Sequence, residues 1–285
     1  MNRLRMLVDL CQPAGLLQIV DVGANPTETP TYRPLVDVGA ARVTGFEPQA
    51  SAFAELEDKQ SDHERYLPYA VGDGGAATLN VCRASGFTSL LTPDPQTMAY
   101  FGRWGRMTRV VEKVDFETKR LDDMAELERV DLLMIDIQGG EVAVFDNAGK
   151  KLASAVAVIT EAAFYPIYVD QPLLDDQMKA LRRSGFALHK LLHTKSVKLN
   201  SPDTGRFGPA FRNQLVDGDA VFIRDMRDPG ALDDEQLKRL AILADTAFSS
   251  FDLTVLCLAQ LRDRGVLETD AIQDYVDLVP GAAAR

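Results

Sequence analysis

The sequence predicts an α/β fold on a doubly wound, mostly parallel sheet, and three observations carry that expectation. Short apolar runs recur over residues 17–161 with helix-compatible stretches between several of them, the alternation that places helices on both faces of a parallel sheet. The first run, LLQIVDVGANP, stops at Asp21 and Gly23, and a later one, RVTGFEP, stops at Glu47 and Pro48. Such strand-end acids lie outside the carboxyl ends of adjacent strands, where nucleotide-like ligands bind. Two late runs, FALHKLLH and DAVFIRD, are separated by a loop rich in Gly, Pro and Asn rather than by a helix, which implies an antiparallel pair at one sheet edge.

Taken in order, strands are expected at 17–22, 42–47, 76–82, 110–118, 131–136 and 155–161, and helices at 50–59, 140–148 and 174–184. Gly185 closes the last of these helices as the residue just past its C-terminus. From Asp233 the pattern is helical without strands. Leu237, Leu240, Ala241 and Ala244 fall on one helix face, with Asp233 or Asp234 as the cap. A second helix over 251–264 is stopped by Gly265, and a third follows Thr269. The second is apolar around much of its circumference, so burial against the core or a partner chain is expected. The chain divides into a sheet domain, 1–228, and a C-terminal helical extension, 229–285. That extension is expected either to form a homodimer or to clamp over the edge of the sheet.

Composition narrows the partners. The 285 residues are 46% hydrophobic with a net charge of −11, enough to fill a core and contrary to the basic face that nucleic acid requires. A cationic or neutral ligand fits better. Cys11, Cys82 and Cys257 lie far apart without metal-ligand spacing, which suggests a reducing compartment. The start, MNRLRMLVDL, meets Asp9 before any signal-like apolar core develops, and the longest apolar run is too short for membrane insertion. A cytoplasmic location is expected.

The turn after the first strand holds one obvious glycine, Gly23, within DVGANPT, and so lacks the GxGxxG that cradles a pyrophosphate. A ligand without phosphates needs fewer glycines, and S-adenosylmethionine is such a ligand. Asp21 would then face its amino-acid end and Glu47 would accept both ribose hydroxyls. The plainer alternative is that Asp21 merely ends a strand and Glu47 lies on the surface. In AVGDGG, Asp73 either accepts from an adenine amine or belongs to an ordinary turn. VDLLMIDIQGGE ends its apolar strand in Asp136, beside the methyl-transfer point of a switch-point cleft, with Glu141 at a helix N-terminus. Glu161 is the next carboxylate on that rim.

A hydroxyl acceptor must lose its proton, and Asp136, Glu161, His189 and His193 are the candidate bases. His189 reads better as an ordinary strand residue, whereas His193 ends its run near the variable loop. Asp136 and Glu161 are also hard oxygen ligands, but two carboxylates alone are thin grounds and no metal is expected. Acceptor choice is expected to reside in SGFTSLLTPDPQTMAYFGRWGRM and in KSVKLNSPDTGRFGPAFRNQ. The first of these carries Arg103, Trp104 and Arg106 and would fold as a lid, unless Trp104 simply packs in the core.

The ordered series DVGANP, GFEPQ, AVGDGG, TSLL, TKRLDD, VDLLMIDIQGGE, TEAAFYPIYVDQP and RRSGF resembles the FkbM family of S-adenosylmethionine-dependent methyltransferases from about Ile19 to Asp225. The resemblance implies a class I methyltransferase fold, Rossmann-like with an antiparallel edge strand, and O-methylation of a hydroxyl on a sugar, glycan or secondary metabolite. It places Asp21, Gly23, Ala24 and Asn25 on the cofactor's methionine side, Glu47 with Pro48 at the ribose, and Gly72 with Asp73 at the adenine. Asp136, Ile137 and Gln138 would line the cleft around the methyl group. Two departures stand out: Met134 where the family commonly has a lysine, and Thr27 where it often has a second glycine. A cofactor-binding scaffold with altered catalysis and a nucleotide-dependent dehydrogenase are the competing readings.

Overall fold

The computed structural model describes residues 3–268 and 270–282. The chain opens with helix α1 (Arg3–Cys11) and strand β1 (Leu17–Val22), then α2 (Arg33–Asp37), β2 (Ala41–Phe46), α3 (Ala50–Glu57) and β3 (Glu64–Leu67). An excursion follows, made of β4 (Ala76–Cys82), α4 (Pro95–Phe101) and β5 (Val110–Glu117). The chain re-enters the sheet through β6 (Leu132–Ile135), α5 (Glu141–Asp146), α6 (Gly149–Ser154), β7 (Ala157–Ala163), α7 (Leu174–Arg183), β8 (Phe186–Val197) and β9 (Gln214–Arg224). It closes with α8 (Asp234–Thr246), α9 (Phe251–Asp263) and α10 (Ala271–Val276). The helix expected after Thr269 is thus present, Thr269 itself lying outside the described residues.

The main sheet has seven strands in the order β3-β2-β1-β6-β7-β9-β8. β3, β2, β1, β6 and β7 run parallel, and β9 pairs antiparallel with both β7 and β8. This is the class I methyltransferase arrangement. The switch point lies between β1 and β6, where strand order reverses and a cleft opens at the carboxyl ends. Within the antiparallel pair at the edge, β9 is the reversed strand and β8 is outermost.

The runs 76–82 and 110–118 do not join this sheet. They pair with each other, antiparallel, in a separate two-stranded ribbon. Interior parallel strands are covered on both faces and read as almost unbroken apolar sequence. β5 instead exposes Glu112, Lys113, Asp115 and Glu117, a load that only a strand with one wet face carries. The parallel edge is taken by β3, whose ERYL sequence hides its charge by pairing Glu64 with Arg33 at 2.7 Å and with the Tyr66 hydroxyl at 2.9 Å.

Residues alternate along each strand between two cores. Val20, Leu133, Val158 and Phe222 face a layer built by α5, α6 and α7. Leu17, Ile19, Val43, Leu132, Ile159 and Val221 face the other side, where α1, α8 and α9 pack through Leu7, Leu237, Leu240, Leu258 and Leu261. The C-terminal helices therefore supply one of the two layers over the sheet. Asp233 caps α8, accepting from Gln236 N at 2.7 Å while the Gln236 side chain accepts from Asp233 N at 3.0 Å. Asp245 on α8 receives both Arg3 from α1 and the Tyr275 hydroxyl from α10, each at 2.7 Å. The helical layer is thereby tied together around one buried carboxylate.

Candidate functional site

At the switch point the tips of β1, β2 and β6 bound a cleft of about 250 Å3, lined among others by Gly23, Asn25, Glu47, Pro48, Asp136, Ile137 and Gln138. Gly23 takes φ +85°, and a Cβ there would stand 2.0 Å from the Asp136 carbonyl oxygen. The β1 and β6 tips approach this closely because the position has no side chain. Asn25 accepts from Thr27 through both N and Oγ1, at 2.9 and 2.8 Å. This side-chain turn closes the loop around Pro26.

Glu47 stands half-buried at the end of β2, its Oε1 accepting from Gln49 N at 2.6 Å at the start of α3. Phe46, Tyr69, Val71, Leu79 and Phe116 make one wall apolar, and the Tyr69 ring carries the Lys119 ammonium 3.3 Å from its centroid. Ser85, Thr88, Ser89 and Leu90 also line the cleft and bring the beginning of the variable excursion into it.

Other expected site residues stand differently. Asp21 lies behind the turn, buried, and accepts from the Tyr32 hydroxyl at 2.6 Å. Ala24 packs with Leu56 and Tyr66 on the side of α3. Gly72 backs onto Thr118, and the exposed Asp73 accepts from Gly75 N at 2.9 Å and from Thr118 Oγ1 at 3.3 Å. Both bonds fall on Oδ1, so Asp73 closes its own turn through one carboxylate oxygen. His189 meets Ser250 Oγ at 2.6 Å and Phe248 edge-on, engaged with the link between α8 and α9. His193 is exposed on β8 opposite Asp219, which is in turn opposite Glu161 on β7. Trp104 packs against Phe87 and Phe101, under Arg103 and Lys195.

Gln138 joins the two carboxylates that the sequence singled out. Its Nε2 donates to Asp136 Oδ1 at 2.8 Å and to Glu161 Oε2 at 2.7 Å. Its Oε1 accepts from the hydroxyl of Tyr168 at 2.9 Å, and its backbone carbonyl from Ser89 Oγ at 2.7 Å. Glu141 begins α5 and folds back to accept from Ile137 N at 3.0 Å and Gly139 N at 3.1 Å. Ligand atoms of Asp136, Glu141 and Glu161 all lie within 4.8 Å of one another. Tyr32 and Tyr168, both about fully buried, carried no sequence signal. A tyrosine in an apolar run reads as core until its hydroxyl partner is known.

Burial dominates the electrostatics. It pushes the carboxyls of Asp21 up to about 6, of Glu47 up to about 7 and of Glu141 up to about 7. Glu161 is held well above the ordinary carboxylate range by burial and by the charges of Asp136, Glu141 and Asp217. The folded state thus keeps protons that the unfolded chain has released, and stability falls as pH rises from about 5 to about 8. Thermal unfolding of the unliganded chain is expected at a higher temperature near pH 5.5 than near pH 8. Equal or reversed values would show these carboxyls to be well solvated.

Residues 21–188 match the model of the FkbM methyltransferase domain. The chain belongs to the FkbM methyltransferase family. Within this FkbM domain, Met134 packs toward the core shared with the C-terminal helices, and Thr27 closes the turn on Asn25. No curated protein matches the sequence significantly. Solved structures similar to this FkbM chain include magnesium protoporphyrin IX methyltransferase from Synechocystis PCC 6803 with bound SAM, at 13% identity and TM-score 0.40, covering 78% of this chain and 76% of that one. Precorrin-6y C5,15-methyltransferase from Geobacter metallireducens GS-15 is similar at 13% identity and TM-score 0.36, covering 78% and 87%. An S-adenosylmethionine dependent methyltransferase from Mesorhizobium loti aligns at 13% identity and TM-score 0.36, covering 76% and 95%. Similarity of this degree assigns neither acceptor nor site.

Proposed function

We propose that the chain transfers a methyl group from S-adenosylmethionine to a hydroxyl of a sugar, glycan or secondary metabolite. The observation that carries this reading is Glu47, a carboxylate at the tip of β2 in a cleft entered by only one strand-tip glycine, Gly23. A carboxylate suits a ribose diol and repels a diphosphate. The residues present fit the cofactor. Glu47 takes the ribose, the Phe46 and Tyr69 side supplies apolar contact for the adenine, and the Gly23 to Asn25 turn with Asp136 and Gln138 surrounds the methionine end. The cofactor brings an electrophilic methyl group on a positively charged sulfur.

The chain's task is to hold an acceptor oxygen in line with that methyl and to receive its proton. When bound, the cofactor would supply the methyl group with its sulfur as the leaving group, and the acceptor's hydroxyl proton would pass to a carboxylate of the chain. Asp136 is the exposed member of the pair and lines the cleft, which gives it this role, with Glu161 behind it. His193 is assigned to the acceptor's outer side, where β8 enters the second variable loop.

Free, buried cysteines at positions 11, 82 and 257 accord with a reducing cytoplasm, and among the described residues no helix is long and apolar enough to cross a membrane. For the C-terminal helices we favour a role within the chain over the dimer, because α8 and α9 bury most of their apolar side chains against a face of the sheet rather than its edge.

Asp136→Asn is expected to lower turnover by about a hundredfold or more, the usual weight of a positioned base, while S-adenosylmethionine affinity changes much less. Calorimetric cofactor binding and methyl transfer to acceptors found in a screen of hydroxylated sugars and phenols would measure both. Equal losses would reduce Asp136 to a cofactor ligand.

A further inference from the structure

Gln138 is held at φ +58°, a left-handed conformation that costs a side-chain-bearing residue energy and persists only where surrounding contacts enforce it. Here those contacts are complete. Ser89 Oγ holds its carbonyl, Tyr168 holds one end of its amide, and Asp136 with Glu161 take the other. The Tyr168 hydroxyl has one proton, and its nearer acceptor is Gln138 Oε1 at 2.9 Å, against 3.2 Å for the Phe87 carbonyl. Turning the amide over would set its oxygen against two carboxylates and leave its NH2 facing the tyrosine.

We propose that Gln138 is a positioning residue that holds Asp136 and Glu161 as one proton-accepting pair, with Tyr168 fixing which end of the amide faces them. The inference rests on the methyl-transfer reading for its purpose, but its geometry stands apart from it. The groups facing the pair from neighbouring elements are Asp21 from β1, Glu141 from α5, Asp217 from β9 and Asp219 opposite Glu161 in register, with His193 of β8 beyond Asp219. Lys195 is already committed to Asp217 at 3.0 Å. These neighbours and burial hold the Glu161 carboxyl well above the ordinary carboxylate range, which disfavours the charged form a base needs. Two N–H donors from one amide favour the charged form and oppose that drift. The strained backbone is the cost of aiming a single amide at both oxygens.

The test is a carbon-13 carboxyl titration of the full-length unliganded chain, with Asp136→Asn and Glu161→Gln used to assign the signals. Tyr168→Phe and Gln138→Met are each expected to raise the pair's proton affinity by roughly tenfold, in keeping with hydrogen bonds to a charged group. The double variant is expected to show no further rise, because the hydroxyl acts through the amide. A packing role alone would lower the unfolding temperature and leave the titration in place. An unmoved titration in either single variant, or fully additive rises in the double, would overturn the proposal.

A second arm reads the consequence for the ligand. The wild-type preference for S-adenosylmethionine over uncharged S-adenosylhomocysteine is expected to grow with pH as the pair loses its proton, and both variants should need a higher pH to reach it. A pH profile of that preference unchanged by the variants would count against the inference. Failure of the wild-type chain to bind either compound would sink the methyl-transfer reading while leaving the titration result intact.

Discussion

Glu47→Ala is expected to erase most of the stabilisation that S-adenosylmethionine confers on the folded chain. Hydrogen bonds to a charged acceptor contribute about 1.5–3 kcal/mol each, so losing a carboxylate that accepts from two ribose hydroxyls costs about 3 kcal/mol or more, a hundredfold in affinity. With ligand at about a hundred times the wild-type dissociation constant, the wild-type chain gains about 2.7 kcal/mol. The variant at the same concentration gains about 0.4 kcal/mol, close to the noise of a thermal shift. Glu47→Gln separates binding from local structure. It keeps its single oxygen for Gln49 N at the start of α3 and turns an NH2 donor toward the diol in place of a charged acceptor, so its shift should fall between the two. A full wild-type shift in Glu47→Ala would refute the ribose assignment, and with it the orientation of any ligand in the cleft.

Truncation after Asp228 is expected to abolish cooperative folding rather than release a smaller active domain. The deletion removes Leu237, Leu240, Leu243, Phe248, Leu258 and Leu261, all at most 1% exposed, and bares the sheet face they cover. At about 1.5–3 kcal/mol for each buried side chain, the loss exceeds about 10 kcal/mol, comparable with the entire stability of a domain. It also strands Asp131, a fully buried carboxylate whose Oδ1 lies 3.7 Å from Arg239 Nε on α8 and 3.0 Å from Arg129. Removing one partner of a buried charge network adds to the penalty. Sharp near-ultraviolet dichroism and a single unfolding transition in the truncated chain would show the helices to be dispensable. If the full-length chain sediments as a monomer, a dimer through these helices is rejected at the same time.

The strand tips were legible in the sequence because apolar runs that stop at an acid announce themselves: Asp21 is the penultimate residue of β1, and Glu47 and Asp136 directly follow β2 and β6. The cap at Asp233 and the left-handed Gly185, at φ +81°, were legible for a similar reason, since each is a local rule with a local residue. What depends on distant partners was not. Nothing in the run 110–118 declared that its partner would be β4 rather than the main sheet, although its density of charge was a clue. The roles of Tyr32 and Tyr168 depend on carboxyl and amide groups brought near by the fold, and α1 was not among the expected helices because its partners α8 and α10 come from the far end of the chain. Asp21 shows the same limit from the other direction. Its position was foreseen, but its bond to Tyr32 turns it from the cleft.

Between Leu67 and Leu132 the chain leaves the main sheet and returns, and it carries on that single detour both the β4–β5 ribbon and the segment from Ser85 to Met107. Backbone pairs of Asn80 with Ser89 and of Arg83 with Arg109 stitch the segment's base to the ribbon, apart from Gly23 and Glu47 on the other rim. The same detour that holds the expected acceptor segment also lends Ser85, Thr88, Ser89 and Leu90 to the cleft, so the two tasks share its first residues. Exchanging residues 92–109 for those of a homologue, which spares those lining residues, is expected to change the acceptors taken while leaving S-adenosylmethionine affinity in place.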